Sequence, residues 1–379
     1  MGIYPYFHPI QSAPGDEVIV DGKPCIMAGS NNYLGLVNHP RVKEAAMKAA
    51  HDFGSGCTGS RFLNGTLDMH LELERRLAKF VHKEAALVFS TGFQTNLGAI
   101  SCLIGKNDAV IIDRQVHACI VDGCRLSYGK TYKFAHNDMA DAERVISNVR
   151  NINTRGGIMV VVDGVFSMEG DIIKLPELAK ICKRYGARLM VDDAHSIGVL
   201  GPTGAGTAEH FGITDDVDLI MGTFSKSFAS LGGFIAGKKE VIEYIQHTAR
   251  SLIFSASITP SSAAAVLTAL DIIQAEPERR EHLWNNAHRI QREFRSLGFD
   301  IGHTATPIVP IVVGEDLDCF AFWKDVYDRG VFTNPVISPA VPPGHAMIRT
   351  SYTATHTDRH LDKVIEVMAE VGRKRGLIS

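Results

Sequence analysis

Residues 188–195 read Arg-Leu-Met-Val-Asp-Asp-Ala-His, an apolar run that stops on two carboxylates and an imidazole. Aspartate avoids the interior unless it is paired, so an acid closing a buried run needs a donor or a cation at that point. Capping of a following helix accounts for Asp193, but not for Asp192 and His195 as well. The same pattern repeats outward from this segment. Short apolar runs stand at Ala85 to Phe89, Ala109 to Ile112, Ile158 to Asp163 and Leu219 to Met221, each followed by glycine or polar residues and then by helical periodicity, as from Leu175 to Tyr185. Alternation of buried runs with helices predicts an α/β fold, a mostly parallel sheet wrapped by helices. In such sheets ligands bind beyond the carboxyl ends of the strands, so the residues just after each run are the candidates for chemistry.

Between Arg41 and about Phe80 apolar residues recur at helical spacing in two segments, separated by the glycine-rich stretch GSGCTG at 54–59. The pattern predicts an N-terminal segment (1–40), a large domain (41–258) and a smaller α+β domain (259–379). The last would hold a helix-rich stretch through Leu297, strands at Pro307 to Val313 and Ile348 to Ser351, a loop from Pro335 to Pro343 and a final helix from Asp358 to Lys374. Ser251 to Leu270 carries no charge, yet it is rich in Ser, Thr and Ala and is broken by Pro260, so it reads as a buried loop leading into a helix and not as a membrane span.

Of the 379 residues 45% are hydrophobic and 21% charged, and the net charge of -3 comes without a long basic run. These values describe a globular protein of small-molecule chemistry and argue against a nucleic-acid surface. Seven cysteines, at 25, 57, 102, 119, 124, 182 and 319, form no Cys-x-x-Cys pair. No metal site is expected, and free thiols suit a reducing compartment. The N-terminus lacks the basic and apolar regions of a signal peptide, which makes a cytoplasmic location the expectation.

Phe89 is followed by Ser90-Thr-Gly-Phe-Gln-Thr95, a hydroxyl and glycine turn entering a helix; its N–H groups can hold an anion, although such turns also serve as plain caps. Ile112 is followed by Asp113 and, four residues later, by His117. The last run leads into GTFSKSFASLGG, 222–233, where Lys226 has no acid among its sequence neighbours. A lysine of ordinary pKa, about 10.4, is a poor nucleophile at neutral pH, but near other cations or in a desolvated site it gives up its proton more readily. A reactive lysine, a carboxylate able to bond a pyridinium nitrogen, and hydroxyl and N–H groups for a phosphate are the parts of a pyridoxal phosphate site.

With these residues in view the chain resembles the α-oxoamine synthase family of fold-type-I pyridoxal phosphate enzymes. The likeness runs from Gly2 to the C-terminus through SNNYLGL (30–36), GCTGSRFLNGTLDMH (56–70), STGFQ (90–94), DRQVH (113–117), DGVFSMEG (163–170), VDDAH (191–195), TFSK (223–226) and IRTS (348–351). It implies a seven-stranded, mostly parallel sheet and a homodimer with shared active sites. Lys226 would be the attachment point of the cofactor and would move the α-proton, Asp192 would keep the ring nitrogen protonated, and His117 would stack on the ring. His195 and Ser167 would reach the phenolic oxygen, with His195 assisting the condensation. Gly92, Phe93, Thr223 and Ser225 would bind or flank the phosphate, with Ser255 contributed across the dimer interface, and Asn32 and Arg349 would orient an amino-acid carboxylate. The implied reaction joins an amino acid to an acyl-CoA thioester with loss of carbon dioxide. The motifs are most similar to those of the bacterial branch that uses serine and a palmitoyl thioester; alanine with a pimeloyl thioester, glycine with an acetyl thioester, and a catalytically silent partner subunit are the alternatives. Cys119 departs from the family pattern, which often has a small hydroxyl residue two places after the stacking histidine.

Overall fold

The computed structural model describes residues 4–379; residues 1–3, on which the likeness at Gly2 and the reading of a leader fall, lie outside the described residues. The chain divides into two units. The larger comprises Pro40–Phe166 and Ile173–Ala275; the smaller comprises the described residues up to His39, with Ser167–Ile172 and Glu276–Ser379.

The larger unit is built on seven strands in the spatial order Ala85–Phe89, Gly233–Gly237, Leu219–Thr223, Arg188–Asp192, Ile158–Asp163, Ala109–Asp113, Lys130–Phe134. Six run in one direction; only Gly233–Gly237 opposes its two neighbours. The central strands are buried along their whole length, which is why their sequences are continuous Val, Ile and Met runs and not alternating ones. Each of the three runs that end at Asp113, Asp192 and Thr223 extends one or two residues beyond its apolar stretch, so the polar residue is itself the last of the strand. At one edge Val88 N–H has no strand to pair with; the Glu74 carboxylate accepts it at 2.9 Å and also forms a two-pronged pair with Arg61, at 2.7 and 3.1 Å.

The smaller unit has two three-stranded sheets, Glu17–Val20 with Lys23–Met27 and Val331–Phe332, and Ile308–Gly314 with Ala346–Ser351 and Asn334–Val336. The helices Glu278–Leu297, Asp316–Asp328 and Asp358–Lys374 cover one core of their own, centred on Trp323, Phe322 and Phe294. Its N-terminal hairpin turns on Asp21 (φ 51°) and Gly22 (φ 74°), the left-handed pair that a two-residue hairpin loop requires.

Three expectations need correction. The boundary at residue 259 falls one helix early: Pro260–Ala275 packs on the helix Pro40–Phe53 and belongs to the larger unit. The stretch from Ser251 is not a buried loop, since it opens with the short helix Arg250–Ile253 and leaves Phe254 73% exposed. Pro335 lies in a strand, Asn334–Val336, although the residues after it do form a loop. Among the described residues no helix is long and apolar enough to cross a membrane, and the seven cysteines form no disulfide.

Candidate active site

Phe224 and Phe228 are fully buried, Phe224 stacking on Phe234 and meeting Phe228 edge to face. The backbone between them closes on itself through Phe224 N–H to Gly232 O, Ser230 N–H to Phe224 O and Ala229 N–H to Lys226 O. The sequence pattern Phe-Ser-Lys-Ser-Phe thus sinks both rings into the core and lifts the half-buried Lys226 at the carboxyl edge of the sheet. Register puts Thr223 and Phe89 opposite Gly233, so the start of the helix Gly92–Leu103 lies beside the end of the lysine-bearing strand. A Cβ on Gly92 would stand 2.6 Å from Thr223 Oγ1, and Thr223 Oγ1 lies 3.0 Å from Ser225 Oγ. A helix N-terminus and two hydroxyls therefore form a cradle that only glycine leaves open, suited to an anion. Thr91 caps that helix by accepting Gln94 N–H, and Gln94 Nε2 donates to Ser255 Oγ at 3.0 Å, which brings Ser255 to the same turn within one chain. Phe93 borders the cradle, its ring edge-on to His117.

Asp192 closes the central strand, buried, and accepts Asn96 Nδ2 at 2.6 Å and Ala194 N–H at 2.9 Å. In the next strand Asp163 stands opposite it in register, and its Oδ2 accepts His117 N–H at 3.0 Å. Burial, reinforced by the Asp192 charge, holds the Asp163 carboxyl well above the usual carboxylate range. His117 Nδ1 accepts Cys119 N–H at 3.2 Å and lies 2.9 Å from Cys119 Sγ. Loss of solvation on that side and the Lys226 charge push its pKa down, against the pull of Asp192. Asp193 serves the local backbone instead. Both its oxygens are taken by Thr207, at 2.6 Å from the hydroxyl and 3.1 Å from the N–H, and burial raises its pKa to about 6. His195 is buried in the turn that follows.

In the smaller unit Arg349, 5% exposed on the strand Ala346–Ser351, donates from Nη2 to Asn31 Oδ1 at 2.9 Å and from Nε to the Ser167 carbonyl. Tyr33 O–H donates to the same Asn31 oxygen at 3.3 Å, and burial lifts its pKa to about 12. Asn32, expected together with Arg349 to orient a substrate carboxylate, accepts Val37 N–H at 3.3 Å, and its neighbour Asn31 is the one bonded to Arg349. Ser167 meets Arg349 through its carbonyl.

A model of the family described as aminotransferase class I and II matches residues 23–368. The chain belongs to that family. Among relatives in this aminotransferase family, a serine palmitoyltransferase of Sphingobacterium spiritivorum is 54% identical over 98% of this chain and 92% of its own. An 8-amino-7-oxononanoate synthase of Thermoanaerobacter pseudethanolicus is 41% identical over 100% of this chain and 95% of its own. A solved serine palmitoyltransferase of Sphingomonas wittichii superposes with a TM-score of 0.96 at 35% identity, covering 99% of this chain and 94% of that one. A serine palmitoyltransferase structure with pyridoxal phosphate as internal aldimine gives the same values, 0.96, 35%, 99% and 94%.

Within the aminotransferase framework the structure adds Asn96, Asp163 and Asn31 to the expected residues. Asp163 ends an apolar run as Asp192 does, so the same signal could have found it. Asn96 carries no such mark; it lies inside a helix and reaches Asp192 only through packing.

Proposed function

We propose that the protein is a pyridoxal phosphate-dependent acyltransferase that converts L-serine and palmitoyl-CoA into 3-ketodihydrosphingosine, carbon dioxide and coenzyme A. The observation that carries this reading is the Asp192 carboxylate, fixed by two donors at the end of the central strand on the edge that also bears Lys226 and the Gly92 cradle. The likeness to serine palmitoyltransferases supports the choice of substrates.

The residues fit the cofactor. Gly92, Thr223 and Ser225 offer N–H and hydroxyl groups to its phosphate, Asp192 a carboxylate to the ring nitrogen, His117 a ring to stack on it and Lys226 an amine for covalent attachment. Pyridoxal phosphate, when bound, supplies an electron sink for negative charge at the Cα of an attached amino acid. Asp192 holds a proton at the ring nitrogen and so keeps that sink effective. Lys226 Nζ would take the proton from Cα and later return one. Arg349 grips the substrate carboxylate, its fork oriented by Asn31 and Ser167. His195 donates a hydrogen bond during condensation. In the overall reaction the serine Cα bonds to the acyl carbonyl carbon, the thioester C–S bond breaks, the carboxylate leaves as carbon dioxide and a proton takes its place.

Two finer readings accompany this one. The protein works as a homodimer, supported by exposed apolar side chains of the larger unit, Leu63 at 78% and Phe254 at 73%. It works in the cytoplasm, where free thiols such as Cys57 and Cys102 stay reduced. The 8-amino-7-oxononanoate synthase relatives favour alanine with a pimeloyl thioester as a second reading.

The test is incubation of the purified protein with each amino acid and thioester pair, with mass analysis of the product. A ketone formed from serine and palmitoyl-CoA, and absent with Lys226→Ala, is expected; product from alanine and pimeloyl-CoA alone would transfer the assignment to the second reading.

A further inference from the structure

Asn96, Cys119, His117 and Asp192 make a continuous polar chain in the larger unit. Asn96 is 0% and Cys119 3% exposed, so each polar hydrogen there must find an acceptor inside the protein. The carboxylate oxygen 2.6 Å away fixes which end of the Asn96 amide faces it: Nδ2 donates one hydrogen to Asp192 and the other to Cys119 Sγ, at 3.0 Å. At the far end His117 Nδ1 receives Cys119 N–H at 3.2 Å, so that nitrogen acts as an acceptor. Sγ lies 2.9 Å from it. The thiol stands between a group that only donates and a nitrogen that accepts; it must take a hydrogen bond from Asn96 and donate one through its S–H to His117 Nδ1. Burial and the nearby Asp192 charge keep that thiol protonated, as this role requires.

We propose that Cys119 and Asn96 are positioning residues: the ordered chain from the Asn96 amide through the Cys119 thiol to His117 Nδ1 holds His117 as its neutral Nε2–H tautomer and ties that ring to the amide that grips Asp192. The Asp163 carboxyl completes the support by accepting His117 N–H at 3.0 Å. The charged and titratable groups that act on His117 are Asp192, which favours a proton on the ring, Lys226, which opposes it, and Asp163 and Cys119 at its backbone and Nδ1. A serine hydroxyl offers the same donor and acceptor pair as the thiol, whereas alanine and valine offer neither. The link to cofactor chemistry rests on the function proposed above; the tautomer does not.

The experiment is nitrogen NMR of the holoenzyme with labelled histidine, the His117 signals being assigned by difference from His117→Gln. Between about pH 6 and 8 the wild type is expected to show a protonated Nε2 and an acceptor Nδ1. Cys119→Ser keeps that signature. Cys119→Ala loses the bond that favours the neutral ring, and the His117 titration midpoint rises by up to about one pH unit. Cys119→Val, which fills the volume without a polar hydrogen, gives the same rise and serves should the alanine variant fold poorly. A proton on Nδ1 in the wild type, or unmoved midpoints in both the alanine and valine variants, overturns the proposal. In parallel, Cys119→Ala is expected to lower kcat for the serine reaction several-fold with KM for serine held, and Cys119→Ser to restore it; an enzyme inactive on serine with the NMR signature intact refutes the functional reading and leaves this one standing.

Discussion

Asp163 and Asp192 end neighbouring parallel strands in register, two buried carboxylates side by side, of which Asp192 receives two hydrogen bonds and Asp163 one. Two like charges so placed do not both ionise readily. The donors are on Asp192, and burial together with the Asp192 charge holds the Asp163 carboxyl well above the usual carboxylate range.

Asp163→Asn removes this titrating carboxyl while keeping a side-chain oxygen to accept the His117 backbone N–H. A carboxyl whose folded pKa is raised stabilises the fold fully below its unfolded pKa, about 3.9, and loses that contribution as pH rises toward its folded value. The Asn variant is expected to lack this decline. Its thermal midpoint, measured from about pH 4 to 8, should follow a flatter curve than that of the wild type, and should equal or exceed it at the alkaline end. Asp192→Asn, in contrast, should lose cofactor retention.

His70 gives the opposite slope. It is buried, its Nδ1 accepts Leu67 N–H, and burial, with the Arg61 charge nearby, lowers its pKa to about 4. An imidazole held neutral in the fold contributes fully above its unfolded pKa, about 6.5, and that contribution is lost as pH falls toward 4; the whole span is on the order of 3 kcal/mol. In denaturant titrations His70→Asn should show a shallower acid loss across this window. An unchanged slope would remove His70 as its cause.

The Arg61–Glu74 pair is shielded on both sides and also serves the edge strand, so breaking it should cost far more than breaking an exposed pair. Glu74→Ala is expected to lose about 3–5 kcal/mol of unfolding free energy, since it leaves a buried guanidinium and the Val88 N–H without acceptors. Glu72→Ala, which removes the exposed partner of Arg75, should stay within about 0.5 kcal/mol. Equal losses in urea melts would refute the distinction.

Arg349→Lys keeps the charge and discards the fork. A lysine cannot satisfy Asn31 and Ser167 while presenting two parallel N–H groups to a carboxylate. Under the proposed function KM for serine should rise about tenfold or more, with kcat less affected; steady-state kinetics at varied serine decide it.

The fold was legible in the sequence wherever a strand was buried on both faces. Ile158–Asp163 reads as IMVVVD because nothing polar fits there. Lys130–Phe134, an edge strand of sequence KTYKF with two exposed lysines, carries no such mark, and Gly233–Gly237 hides its strand character in terminal glycines that let Gly92 and Thr95 approach Gly233 and Leu219 approach Gly237. Asp21-Gly22 carries a short-range hairpin signal that the reading of residues 1–40 as a single N-terminal segment passes over. In the site, Asp192 and Lys226 stood out because each comes just after an apolar run. Asn31 and Asn32 are adjacent in a turn segment, and sequence alone does not fix which of the two meets Arg349. Asn96 and Cys119 become partners only when two helices pack, at a distance no spacing encodes.

The two phenylalanines flanking Lys226 act as roots. With Phe224 and Phe228 embedded on either side and the backbone laced shut at Gly232, the amine's carriage is set before any ligand arrives, and movement on catalysis is left to the four-carbon stem of the side chain alone. A residue inserted between the two rings would turn one of them toward water, so the length of this short segment should tolerate no change even where its serines do.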